Sequence, residues 1–130
     1  MIMRLLAAAA VLVSAVVHGK LWFDGVRDEH MIGPAFMLNA IGGLVIALLL
    51  VAWRHWVPSL LAVGFGVATL GAFIISATVG LYGVHEQWVG APVWSCAIAE
   101  AVAILAGAVA VAQSLPSRSG RGLREETAAR

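Results

Sequence analysis

The chain has 130 residues, 62% hydrophobic and 12% charged, a net charge of +1 and a mean hydropathy of +0.95. Soluble domains carry about 45–50% apolar and about 25% charged residues, so lipid is the solvent this composition suits, and the near-neutral charge gives no reason to expect a nucleic-acid partner. The single cysteine, Cys96, excludes an intramolecular disulfide, a CxxC redox pair and a thiolate cage for zinc.

A spanning helix takes about 20 apolar residues, so four spans with short loops nearly exhaust the chain and leave no room for a soluble catalytic domain. No phosphate loop, GxSxG or HExxH is present. The predicted fold is all-α: a membrane-embedded antiparallel four-helix bundle over residues 1–116, with spans at 4–23, 34–53, 59–82 and 94–113. Residues 117–130 read as a disordered basic cytoplasmic tail.

The first run could also be read as a leader, with an apolar core at 5–17 and Val13-Ser14-Ala15 as a cleavage site. It continues past His18 through Leu21, Trp22 and Phe23, which suits a retained span better. A short polar loop follows, and Pro34 opens the second run, where its missing N–H would have no partner. Arg54 to Pro58 form a tight turn into the third run. Gly90 and Pro92 break the loop before the fourth.

Orientation follows from Lys and Arg. A cytoplasmic N-terminus puts Arg4, Arg54, Arg118, Arg121, Arg124 and Arg130 inside. Only Lys20 and Arg27 then lie outside, offset by Asp24, Asp28 and Glu29. The expected location is the plasma membrane, with both termini cytoplasmic. Trp53 and Trp56 mark the inner interface; Trp22, Trp88 and Trp94 mark the outer one.

Small residues let helices approach in lipid. The third run has Gly64, Ala68, Ala72, Ser76 and Gly80 at every fourth position, a ridge expected to face other helices. The fourth has Ser95, Ala99, Ala103 and Gly107; the second has Gly42-Gly43. Ser76 and Thr78 are expected to bond their own backbone carbonyls, and Cys96 to be a small packing residue.

Three residues stand out within the spans because charge or amide in hydrocarbon is expensive, from about 2.5–3.5 kcal/mol for a centred Asp or Lys: His18, Asn39 and Glu100. A rise of about 1.5 Å per residue puts each roughly 7–9 Å below the outer interface. Each lies on its helix's small-residue side. They form the candidate ligand-binding or proton-handling site, with Glu100 as acid, His18 as base and Asn39 orienting one of them or binding a carbonyl. A quinone head group, a cation or a relayed proton would suit it. The structural alternative is that the three bond one another and fix helix register. His30, His85 and Glu86 in the outer loops are weaker candidates. With His18 they could form a surface metal site, but their spacing carries no metal signature, and no metal is assigned.

The opening RLLAAAAVLVSAVVHGKLWFDG resembles the first span of DoxX-like membrane proteins. HGKLWFDG, IGPAFMLNAIGGLVIALLL and VGLYGVHE together look like small uncharacterised four-span proteins of actinobacterial type. The resemblance implies four spans and association with respiratory or thiol-redox complexes. It carries over no catalytic residue, because the second half of the chain has no matching pattern.

The function expected first is a non-catalytic accessory or assembly subunit of a larger membrane complex. The alternative is a ligand-binding or proton-handling protein beside a quinone, using His18, Asn39 and Glu100. A third reading is a small transporter or channel subunit, which would need a homo-oligomer because four thin helices are too narrow for a pore. Expected partners are the lipid bilayer and other membrane subunits or further copies of the chain.

Overall fold

A computed structural model describes residues 1–116 and 128–129. The tail expected at 117–130 otherwise lies outside the described residues. Four helices make up the fold: α1 (Ile2–Phe23), α2 (Ile32–Ala52), α3 (Trp56–Thr78) and α4 (Ala91–Ser114). A single 3-10 turn, Val26–Asp28, lies between α1 and α2. Among the described residues there is no strand, only the isolated bridge Leu81–Val84. All four helices are long and apolar enough to cross a membrane. They have 22, 21, 23 and 24 residues, about 31–36 Å at 1.5 Å each.

The helices start and stop where the backbone chemistry dictates. Pro58 and Pro92 sit in the first turns of α3 and α4, where no intrahelical partner is lost. The third helix ends at Thr78, four residues before the end expected from hydropathy. The reason is Gly80, whose φ of 86° is left-handed. Its N–H and that of Val79 both donate to Ile75 O at 3.0 Å, closing the helix as C-terminal glycines commonly do. Leu81 and Tyr82 are apolar but belong to the loop. The fourth helix begins three residues earlier than expected.

The helices are antiparallel neighbours. On α1, Arg4, Ala7, Val11, Ser14 and His18 form a buried stripe at three- and four-residue spacing. On α4 the buried stripe is Ala99, Ala103, Ala106 and Ala110, with Glu100 and Gly107 beside it. These two helices form the centre of the bundle. α2 packs on the far side of α1 and α3 on the far side of α4. α2 and α3 are joined by a three-residue turn yet touch little along their lengths. The bundle is therefore closed on three sides and parted on the fourth.

Close approach depends on glycine between α3 and α4. A Cβ on Gly66 would stand 2.7 Å from Glu100 O and 2.7 Å from Ile104 Cγ1; one on Gly107 would stand 2.9 Å from Ser59 O. The face of α3 that packs is thus Ser59, Ala62 and Gly66, all buried. The expected ridge is displaced: Gly64 and Ala68 are exposed and, with Ala72 and Ser76, line the gap toward α2. Large apolar side chains point outward, including Leu38 at 74% and Leu105 at 68% exposure.

Arg4, one of the basic residues counted to the inner side, is buried at the α2–α3 turn. Its guanidinium donates to Leu50 O (2.8 Å), Trp53 O (2.6 Å), His55 O (2.7 Å) and Ser59 Oγ (3.3 Å). The last carbonyls of a helix lack intrahelical donors and attract a cation. One arginine satisfies the end of α2 and ties it to the starts of α1 and α3.

Candidate functional site

The parting of α2 from α3 leaves a cleft of about 1150 Å³. Its walls are apolar: Phe36, Gly42 and Ile46 from α2 face Phe65, Ala68 and Phe73 from α3. His18 of α1 and Cys96 and Glu100 of α4 line the side away from the opening.

Two four-residue steps build that polar back. Helical residues four apart share a face, so Ser14 stands under His18 on α1 and Cys96 beside Glu100 on α4. The α1–α4 seam sets the two pairs against each other. Ser14 Oγ donates to Glu100 Oε1 at 3.1 Å. His18 Nδ1 lies 2.8 Å from Ser14 O; a carbonyl only accepts, so Nδ1 carries the proton. Cys96 Sγ is 3.7 Å from the same nitrogen. Phe36 of α2 leans on the His18 ring, with centroids 4.8 Å apart. Glu100 is 2% exposed and His18 8%, and neither ion pair among the described residues involves Glu100. Ligand atoms of His18, Cys96 and Glu100 lie within 4.8 Å of one another, offering nitrogen, sulfur and oxygen on one spot.

Asn39 lines the same cleft but does not bond His18 or Glu100. Its Nδ2 donates to Thr69 Oγ1 at 2.8 Å, and Thr69 in turn donates to Phe65 O at 2.7 Å. Asn39 Oδ1 is buried without a protein partner.

The outer-loop candidates stand apart. His85 packs its ring against Gly80, within 2.6 Å of where a Cβ would be. Glu86 borders the cleft, and its backbone N–H donates to Ser76 Oγ at 3.3 Å. His30 is exposed. Among the described residues the only converging group of metal-binding side chains is His18, Cys96 and Glu100, so the surface site imagined for His18 with His30, His85 and Glu86 does not form. His18 is turned inward to α4. Ser76 Oγ donates to Val84 O at 2.9 Å, so it pins the loop and not its own helix; Thr78 does bond its own helix, at Ile74 O.

Ser14 and Cys96 are the site residues that sequence reading passed over. The signal available was their four-residue offset from His18 and Glu100.

No family model, curated protein or solved structure matches the chain.

Proposed function

We propose that this protein is a plasma-membrane binding protein for a quinone-class amphiphile, with both termini cytoplasmic. The observation that carries the reading is the cleft: apolar walls open between α2 and α3, and the buried ionisable groups stand at its back. Small-ligand pockets run about 300–1,000 Å³. At about 1150 Å³ there is room for a ring and several units of an apolar tail. The expected ring contacts match the groups present. Quinone carbonyls accept hydrogen bonds, which the Cys96 thiol can donate. Quinol hydroxyls donate them, and His18 Nε2, Glu100 and the partnerless Asn39 Oδ1 accept. An accessory subunit that only held neighbours together would need no such cavity, so the ligand-binding reading is preferred to it. The charge count supports the sidedness.

The test is a titration of the protein in nanodiscs with a short-chain quinone, read as tryptophan quenching. Trp88 is the expected reporter, edge-on to the cleft residue Phe73 at 4.6 Å. Saturable quenching in wild type, abolished by Ala68→Phe, is the expected outcome. Quenching that never saturates, or that survives a filled cleft, would sink the proposal.

A further inference from the structure

We propose that His18, Cys96 and Glu100 bind one divalent cation of the zinc class at the back of the cleft. This does not rest on the amphiphile reading, although the two share residues. With the ion bound, Cys96 no longer donates and His18 Nε2–H donates in its place to a quinone carbonyl, leaving Asn39 Oδ1 as the acceptor for a quinol hydroxyl.

The first argument is donor chemistry. Imidazole and thiolate suit zinc, whereas magnesium and calcium take oxygen alone. The second is geometry. Zinc lies about 2.3 Å from sulfur and about 2.0–2.1 Å from nitrogen, which at a tetrahedral angle separates the two donors by about 3.6 Å. Cys96 Sγ and His18 Nδ1 are 3.7 Å apart, and a turn of the ring that takes Nδ1 off Ser14 O opens its lone pair toward the ion. The Glu100 oxygen lies within 4.8 Å of both, within reach of a side-chain rotation. The third is charge. Thiolate, carboxylate and neutral imidazole carry two negative charges together, so a divalent ion leaves the site neutral. Neutrality matters where a net charge is costly and no Lys or Arg pairs with Glu100 among the described residues. A monovalent ion would leave the site negative.

Coordination makes Cys96 a thiolate and Glu100 a carboxylate, their protons passing to water. The imidazole proton moves from Nδ1 to Nε2. The Ser14 carbonyl that Nδ1 leaves is within α1 and keeps its helical bond. Ser14 Oγ remains as the group that orients the carboxylate, the kind of outer partner that tunes a metal site. Three protein donors leave a fourth position, facing the cleft, as in zinc sites that keep one place open.

The experiment uses the full chain in detergent, stripped with a chelator and titrated with Co²⁺. The readout is thiolate-to-cobalt absorption, followed by displacement with Zn²⁺. One ion per chain is expected, with the sulfur band lost in Cys96→Ser and affinity reduced at least about 100-fold in Glu100→Gln and His18→Gln. Ser14→Ala should weaken binding about 10–100-fold. Helical circular dichroism and a monodisperse elution profile establish that each variant is folded. Ala68→Phe should bind Co²⁺ as wild type does, so the metal site and the quinone site fail independently. No sulfur band in folded wild type, or equal binding by Cys96→Ser, overturns the proposal. Loss of binding on replacing His30 and His85 would overturn it as well.

Discussion

Arg4 shows how differently one residue can read in sequence and in space. Four donor contacts hold it against residues 46 to 55 positions away. Side-chain hydrogen bonds in membrane proteins average about 0.6 kcal/mol, so removing these four should cost about 2 kcal/mol. Arg4→Met is expected to lower the midpoint of denaturant unfolding in detergent accordingly. Arg4→Lys should recover only part of the loss, because an ammonium cannot span carbonyls the guanidinium fork reaches together. Full recovery by lysine would show that only charge matters there. The sequence made His18 and Glu100 visible because ionisable groups are rare in apolar helices. It could not reveal Arg4 as a capping residue, since a basic residue near a span end is also a topology signal. Ser14 and Cys96 were hidden for a related reason: small residues are common in packed helices, and only the opposing helix shows which of them carry polar contacts.

Between elements, the question is which face of a small-residue helix packs. The spans, their order and their antiparallel course were legible from hydropathy and turn residues, to within four residues at each end. The packing face of α3 was not. Its sequence GFGVATLGA carries glycine or alanine on more than one face, so spacing alone cannot choose. The structure separates Gly66, which meets α4 within 2.7 Å, from Gly64, around which an added Cβ would find open space. The two make a paired test. Gly66→Ala must push apart α3 and α4, at about 1–3 kcal/mol, and should also shift Glu100, whose carbonyl it meets. Gly64→Ala is expected to stabilise the helix by about 0.5–1 kcal/mol. Thermal unfolding in the same detergent distinguishes them, and equal effects at both positions would refute the assigned packing face.

At the level of the whole molecule, the bundle is closed by α1 and α4 and parted between α2 and α3. Chain connectivity gives no hint of this, because α2 and α3 have the shortest link. One side chain does stand between the two: the Phe65 ring of α3 reaches α2, where a Cβ on Gly43 would lie 3.1 Å from it, while Phe36 and Phe73 line the gap. Across it runs one side-chain hydrogen bond between α2 and α3 among the described residues, Asn39 to Thr69. That bond clasps the two walls of the cleft, and its removal should change traffic more than stability. Replacing both partners together, Asn39→Leu with Thr69→Val, leaves no buried polar atom orphaned and should be nearly neutral for unfolding. Thr69→Val alone strands the Asn39 amide, which already has one partnerless oxygen, and should cost about 1–3 kcal/mol. If the clasp gates lateral entry, the double variant will both take up and release a short-chain quinone several-fold faster, with its melting point unchanged, whereas loss of the Asn39 Oδ1 contact alone speeds release and not uptake. An unchanged release rate would mean that ligands reach the back of the cleft by another way, past the loop that Ser76 holds in place.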